Sequence, residues 1–446
     1  MRSLKRMLLF NVALMLSLQL PAQEKWTLNE CITFAIKNNL QLYEADLDVK
    51  IARINYNQSK WNLLPGINAG ADAGMNYGRS VDPNTNGIIS TSFFNNSYYL
   101  SASVDCFRGF MLQNQIRYQK LRKEAAENNK MSASDDLAFT VMNAFFDVLY
   151  YEELLKIANE QKALSELIVK KSQVLVMNGL KSQADLLEVK ANLEKEELFC
   201  IQTSNNLALS WISLKKAMNL PPEQQIILDL PEKESAVSAE ILPDIQDLYM
   251  QHSSWSPLIQ AHEYEWQASL KNVNISKAGY SPSIKLQASY NTGFYETYTD
   301  ANNKTYDFDY QIRNNRSQFV GVSLTIPLFN KNEVRFDVKR SKLASEQVHT
   351  RLEVAKQTLL YEMKENYNEL TASEKELQQA EKQFEADKLA FQAAEKKYNQ
   401  GMINVVEFYT IKNRLANTTA QVLHSKLTRS VKKRTIDFYK GERFWE

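Results

Sequence analysis

The feature that most limits what this chain can become is a proline-free, helix-patterned arm running from near Met111 to Gly179. At 1.5 Å per residue, such a helix is about 100 Å long, far too long for the interior of one globular domain. Met177-Asn178-Gly179-Leu180 reads as its end, because Asn and Gly tolerate the left-handed backbone of a helix C-cap. The chain then returns to Met218, with Leu180, Ala184, Leu187 and Ala191 at helical spacing.

A second copy of this hairpin lies downstream. Met363, Leu370, Leu377, Phe384, Phe391 and Tyr398 recur at seven-residue intervals, and Gly401 closes the run. The two closing glycines are 401 − 179 = 222 residues apart. The same shift lands on Val141, Val148, Leu155, Lys162, Val169 and Val176, where only Lys162 is not apolar. Past the turn, Lys190 and Leu193 map onto Lys412 and Leu415. The chain therefore holds an internal repeat with a coiled-coil arm, and a sustained seven-residue period implies a left-handed supercoil.

Charge and motif content exclude several functions. Lys+Arg 53 against Asp+Glu 52 leaves no basic excess for nucleic acid. Glycine (12) and proline (10) are scarce, as long helices require. Cys31, Cys106 and Cys200 have no metal-like spacing, and their odd number does not suggest a disulfide framework. His252, His262, His349 and His424 are isolated and read as surface or packing residues. No HExxH, GxSxG, Walker loop or CxxC is present, and carboxylates on long helices are usually a solvated face. The expectation is a protein that is not an enzyme and uses no cofactor or metal.

Taken in order, Met1 to about Ala22 resembles a secretory signal. Arg2, Lys5 and Arg6 are its charged start, and Leu8 to Leu20 is an apolar core too short to span a bilayer. Pro21-Ala22-Gln23 offers a cleavage site after Ala22, with no cysteine behind it for a lipid anchor. A first structural repeat is expected over 23–219: a helix over 27–63, a β-hairpin over 66–107 and the helical hairpin over 111–218. Thr27 and Glu30 form a capping box at its start, Asn38-Asn39 interrupts the helix, and Leu64-Pro65-Gly66 ends it. A linker over 220–243 holds a short strand at Ile226-Ile227-Leu228 and a solvated loop, Pro231-Glu232-Lys233-Glu234-Ser235. The second repeat, 244–440, comprises a helix over 244–278 interrupted at Ser256-Pro257, a β-hairpin over 283–327 and a helical hairpin over 330–438. The tail, 441–446, adds no further domain.

Between the helices the period changes to two. Ile67, Ala69, Ala71, Ala73, Met75 and Tyr77 alternate with Asn68, Gly70, Asp72, Gly74 and Asn76. Beyond a polar loop with Asp82-Pro83-Asn84, Tyr98, Leu100, Ala102, Val104 and Cys106 alternate with Tyr99, Ser101, Ser103 and Asp105. In the second repeat Ile284, Leu286, Ala288 and Tyr290 alternate with Lys285, Gln287, Ser289 and Asn291. After a polar loop, roughly Tyr298 to Asn315, Val320, Val322, Leu324 and Ile326 alternate with Phe319, Gly321, Ser323 and Thr325, and Pro327 closes the strand. Each strand is about ten residues, the length a tilted strand needs to cross a bilayer. Tyr77, Phe93, Phe94, Tyr98 and Tyr99 at one end, and Trp61, Phe107 and Phe110 at the other, resemble interfacial girdles. The alternative is an amphipathic sheet packed on a soluble core.

Four strands cannot close a barrel, and lipid does not tolerate open edges. A dimer supplies eight strands and little lumen; a trimer supplies 4 × 3 = 12 and a water-filled one. The fold class expected is therefore an α+β membrane protein with two repeats of coiled-coil helical hairpin plus β-hairpin. Its four strands per chain share a barrel with other copies, and coiled-coil seams join the helices side by side into a tube. The polar faces (Asn68, Asp72, Ser101, Asp105, Lys285, Gln287) line the wet side, and the apolar faces meet outer-membrane lipid.

The chain resembles the TolC-like outer-membrane efflux proteins over nearly all of its mature length. The tip turn Gly179-Leu180-Lys181-Ser182-Gln183-Ala184-Asp185-Leu186-Leu187 is the most telling segment, and Gly401-Met402-Ile403-Asn404-Val405-Val406-Glu407-Phe408 is its weaker partner. Leu28 to Ala35, the Leu64-Pro65 and Ser281-Pro282 junctions and the 222-residue offset support it. The resemblance implies a homotrimer in the cell outer membrane, with a shared 12-stranded β-barrel and a twelve-helix tunnel, that exports small molecules or secreted proteins as a passive conduit. It also implies docking to a periplasmic adaptor (a membrane fusion protein) and an inner-membrane RND or ABC transporter. In that family acidic residues past the second glycine narrow the closed tunnel end. Glu407 stands at one such position, Asp185 is its first-repeat counterpart, and the next such position is Thr410 here. Gly179, Leu180, Ser182, Gly401, Met402 and Ile403 are the expected adaptor contacts. The competing readings are a solvated carboxylate at Glu407, glycines that serve the turn alone, and an exported coiled-coil scaffold without a pore.

Overall fold

The computed structural model describes residues 25–81, 86–90, 92–229 and 243–445. The signal segment, the Asp82-Pro83-Asn84 loop and the loop from Pro231 to Ser235 lie outside the described residues. The elements are β1 (Lys25–Trp26), α1 (Leu28–Asn38), α2 (Leu40–Trp61), β2 (Gly66–Asn76), β3 (Arg79–Val81), β4 (Ile88–Ser90) and β5 (Phe93–Arg108). They continue with α3 (Met111–Met177), α4 (Gln183–Met218), β6 (Ile227–Leu228), α5 (Ile245–Trp255), α6 (Pro257–Lys277) and β7 (Ser283–Tyr295). The last are α7 (Phe308–Asn314), β8 (Ser317–Thr325), α8 (Glu333–Asn399) and α9 (Val405–Lys440).

The repeat is carried by element boundaries as well as by composition. Adding 217 to the bounds of α1 gives α5, and the same shift takes the start of α2 to that of α6 and its end to within one residue. Adding 222 to α3 and α4 gives α8 and α9, so each repeat has helices of 67 and 36 residues. The offset grows by five across the sheet, where the second repeat has the longer loop. Even the strand-to-helix corners repeat: Gly109 and Phe110 both have positive φ, and so do Lys331 and Asn332, 222 residues on.

Local chemistry explains the helix ends. Thr27 and Glu30 form the reciprocal capping box of α1. The break at Asn39 is a cap as well: its Oδ1 accepts from the N–H groups of Gln41 and Leu42, and its Nδ2 donates to the Ala217 carbonyl. In the second repeat Ser256 breaks the helix, and Pro257 sits at the first position of α6, where its missing N–H costs nothing.

Contacts divide the chain into two units that cut across the two repeats. One takes Met1–Asp46, Lys130–Pro257 and Lys356–Glu446; the other takes Leu47–Asn129 and Leu258–Ala355. The division differs from the repeats because the 67-residue helices α3 and α8 each contribute to both units.

The second unit holds the sheet, in the antiparallel order β2-β5-β7-β8. Its register sorts side chains into clean rows. Ile67, Ala102, Ala288 and Val320 share one row, and Val104, Leu286 and Val322 another. On the opposite face, Asn68, Ser101, Ser289 and Phe319 align, as do Asp105, Lys285 and Ser323. The apolar face is bare, with Val320 at 76% and Val322 at 70% exposed. Both outer strands, β2 and β8, have an unpaired edge.

Three expectations about this region change. Cys106 does not complete the apolar face: it is the extra residue of a β-bulge, and Phe107 takes the row with Ile284 and Leu324. Tyr99 is not part of an outer girdle, because parity puts it on the polar face, and Phe93 is buried. The loop over 298–315 contains helix α7. It is anchored by fully buried Gln311, whose amide accepts from the Tyr295 N–H and donates to the Tyr295 carbonyl, replacing a missing strand partner. The tail docks, with Trp445 stacked on Phe438 at 5.7 Å.

In the first unit, β6 pairs in parallel with β1. The end of α9 meets α5 in an aromatic cluster around His252, whose ring lies 4.5 Å from Trp255 and 5.0 Å from Tyr439. Burial lowers the His252 pKa to about 4, against a hydrogen bond to the Tyr439 backbone that raises it. Because folding depresses this pKa, the neutral ring's contribution is complete above the unfolded value of about 6.5 and is lost as pH falls toward 4. The full shift corresponds to roughly 3 kcal/mol at 1.36 per unit. Thermal melts across that window are expected to show a shallower acid decline for His252→Phe than for the parent.

Candidate functional site at the hairpin tips

Both tips are built by one backbone device. At the end of α3 the Gly179 N–H donates to the Val176 carbonyl and the Leu180 N–H reaches back to Leu175. At the end of α8 Gly401 donates to Tyr398 and Met402 to Lys397. These paired bonds satisfy terminal carbonyls and require a left-handed residue, so Gly179 has φ 69° and Gly401 φ 74°. An added Cβ at either glycine would meet no atom within 4 Å, so the backbone there is open to an approaching surface.

The returning helices start differently, and that difference separates the two acidic candidates. Ser182 caps α4 in a reciprocal box: Asp185 N–H donates to Ser182 Oγ at 3.1 Å, while Ser182 Oγ donates to Asp185 Oδ2 at 2.9 Å. The Asp185 carboxylate is thereby committed to the cap. Asn404 caps α9, accepting from the Glu407 N–H at 2.8 Å. The exposed Glu407 side chain does not fold back and has no partner among the described residues. Thr410 bonds its own helix at the Val406 carbonyl.

The expected adaptor contacts divide in the same way. Leu180 and Met402 are exposed at the turn apices. Ile403 instead packs inward against the core that joins the two hairpins: Ile168, Val169, Val189, Ala394, Tyr398, Val405, Phe408 and Tyr409. Its position two residues past the turn glycine directs it under the α9 start. Lys181 completes the tip, donating to the Tyr398 hydroxyl at 3.2 Å and lying 4.4 Å from its ring centre.

Above this core is a buried polar layer that no motif announced. Lys412 on α9 is 1% exposed, yet its ammonium is fully engaged. It donates to Glu196 Oε1 (2.6 Å), Ser165 Oγ (2.6 Å) and the Gln161 carbonyl (2.9 Å). Tyr409 adds a bond to Ser165 Oγ at 3.2 Å, and burial raises its phenol pKa to about 12. Burial lowers the Lys412 pKa, while Glu196 opposes that shift. The second repeat has the matching layer with the roles exchanged. Ser165 corresponds to Asp387 and Glu196 to Thr418, and Thr418 Oγ1 donates to Asp387 Oδ2 at 2.6 Å. Arg414 pairs with Asp387 at 2.7 Å. Lys190, the equivalent of Lys412, is exposed. The available signal was the companion heptad position: Ala158, Ser165 and Ser172, against Ala380, Asp387 and Ala394, all buried.

A family model described as Outer membrane efflux protein matches residues 32–220 and 248–441. The chain belongs to that family. It is 21% identical to the toxin and drug export protein A of Aggregatibacter actinomycetemcomitans, over 90% of this chain and 82% of the relative. It is also 21% identical to the outer membrane protein TolC of Vibrio cholerae, over 90% and 87%. Among solved structures it resembles CusC at a TM-score of 0.79, with 17% identity over 94% of this chain and 95% of that one. It resembles VceC of Vibrio cholerae at 0.79 as well, with 14% identity over 94% and 97%. The fold is that of outer-membrane efflux channels, the protein's place is the outer membrane, and the family is one of transport channels.

The buried layer gives a prediction. Lys412→Met leaves Glu196 charged and unpaired inside the bundle, a change that costs about 3–5 kcal/mol. Lys412→Met with Glu196→Gln is expected to regain most of the lost thermal midpoint, because no charge is then stranded.

Proposed function

We propose that three copies of this chain close a 12-stranded barrel through the outer membrane and continue it as a helical tunnel in the periplasm. The observation that carries this reading is the sheet: a bare apolar face, a polar opposite face and an unpaired edge on each side. In hydrocarbon every unpaired backbone group costs several kcal/mol, so such edges call for neighbouring strands. Identical chains provide them, β8 of one beside β2 of the next. The conduit is passive; the energy for export comes from an inner-membrane RND or ABC transporter, reached through a periplasmic adaptor. The cargo is a small molecule or a secreted protein.

Docking is assigned to the turn apices. Open space around Gly179 and Gly401 and the exposed Leu180 and Met402 suit close packing against an adaptor's helical tip. Ser182 supports the surface by capping α4, and Ile403 by filling the core beneath it. The gate is assigned to Glu407, whose carboxylate is unengaged, with Asp185 serving the cap. Three Glu407 side chains around one axis would repel each other and attract cations.

Two measurements test this. Detergent-extracted protein from the outer-membrane fraction is expected to have the mass of three chains after subtraction of bound detergent; a monomer recovered without detergent would favour the scaffold reading instead. In planar bilayers, Glu407→Ala is expected to weaken block by divalent cations at the tunnel end and raise the open fraction. Unchanged block and opening would return Glu407 to an ordinary solvated carboxylate.

A further inference from the structure

The polar face of the sheet consists mostly of small and polar side chains. Along β2 it carries Gly66, Asn68, Gly70, Asp72 and Gly74, and along β7 Ser283, Lys285, Gln287, Ser289, Asn291 and Gly293. On β5 and β8, Ser97, Ser101, Ser103, Asp105, Ser317, Gly321, Ser323 and Thr325 continue it. Tyr295 and the buried Phe93 share this face from Gly74 outward; over the rows from Ser283 to Asp72 the aromatic residues are Tyr99 and Phe319. They lie in adjacent rows, Gly70–Tyr99–Asn291–Ser317 and Asn68–Ser101–Ser289–Phe319.

Both rings lie over a glycine, and the missing Cβ is what permits it. A Cβ at Gly70 would fall 2.4 Å from the Tyr99 ring, and one at Gly321 would fall 2.5 Å from the Phe319 ring. Such glycines let a ring cover bare backbone, a device that also pins strand register. It leaves the outer ring face free: Tyr99 remains 41% and Phe319 57% exposed. A flat, exposed π-face is electron-rich and attracts cations and other flat rings. The nearby charge has the matching sign. Asp72 is on the same face one row from Tyr99, paired to Ser97, and its carboxylate has no partner among the described residues. Asp105, by contrast, is beside Lys285 and within 3.7 Å of Arg108.

We propose that Tyr99 and Phe319, with Asp72, form a contact site on the pore wall for planar aromatic cations. The inference rests on the reading that the polar face lines the barrel lumen. Three chains would then set six rings on the pore wall. A flat cation in transit that stacks on Tyr99 keeps its charge near Asp72, Phe319 offers a second ring farther along the wall, and a bulky aliphatic cation of equal charge gains only the electrostatic part.

The test uses the full protein in planar bilayers, with ethidium or tetrabutylammonium added on the barrel side so that neither has to pass the tips. Ethidium is expected to interrupt the current. Its dwell time should fall about tenfold in Tyr99→Ser/Phe319→Ser, remain in Tyr99→Phe, and shorten in Asp72→Asn. Tetrabutylammonium dwell should be the same in the parent and the ring variants. Three results overturn the proposal: no interruption by ethidium in the parent, equal ethidium dwell in the double variant, or parallel loss for both cations. If the double variant does not assemble, Tyr99→Ser and Phe319→Ser are read singly by the same criterion. A parent that neither trimerises nor conducts would remove the pore reading itself, whereas normal conductance with ring-independent block removes only this site.

Discussion

The seven-residue seam is the interaction on which the rest of the structure depends. A helix of 67 residues has far more surface than its own backbone bonds can justify, and isolated helices gain little from propensity alone. Here Met363, Leu370 and Tyr398, and Val141, Val148 and Val169, are buried, while small companions such as Ala158 and Ala380 let the facing helices approach. Because the seam is continuous, the turns at Gly179 and Gly401 are held at the ends of stiff arms. Each turn is thus mounted on elements with little freedom of their own.

Within that seam the repeats have diverged by charge. Asp387 and Thr418 close a polar layer inside the second hairpin, and Arg414 covers it from the side. In the first hairpin the carboxylate and hydroxyl have changed helices, and the gap takes Lys412 from the other hairpin. A buried ammonium is tolerable only where all its donors are met. Lys412 therefore fixes the position of the second hairpin against both arms of the first, at one level. Lys162, which seemed to interrupt the seam, sits half-buried at its margin and reaches Glu197 at 3.0 Å.

The sheet obeys a different rule. Its two faces are set by parity, so a one-residue slip would exchange them. The register is held by the bulge at Cys106 and by rings that fit over Gly70 and Gly321. Efflux through an outer membrane asks the same strands to satisfy lipid on one side and water on the other. The exposed Val320 and Val322 beside the polar Gln287 and Ser289 meet that demand residue by residue.

What the sequence determined by itself was everything local or periodic. The seam, the capping box at Thr27 and Glu30, the left-handed turns at Gly179 and Gly401, the alternation of the strands and the family resemblance could all be read from residues within a few positions of one another. Tertiary structure decided what depends on distant partners. Lys412 looked like a surface lysine until Ser165 and Glu196, more than 200 residues earlier, closed around it. Gln311 looked like part of a polar loop until the end of β7 needed its amide. Glu407 and Asp185 were equivalent by position, and only the reciprocal bonds of Ser182 told them apart. Alternation already put Tyr99 on the polar face, but only the pairing of β2 with β5 set its ring over Gly70. The physical reason is the same in each case: propensity and period act within a turn or a strand, whereas desolvation and hydrogen-bond satisfaction are settled by whatever the fold brings alongside.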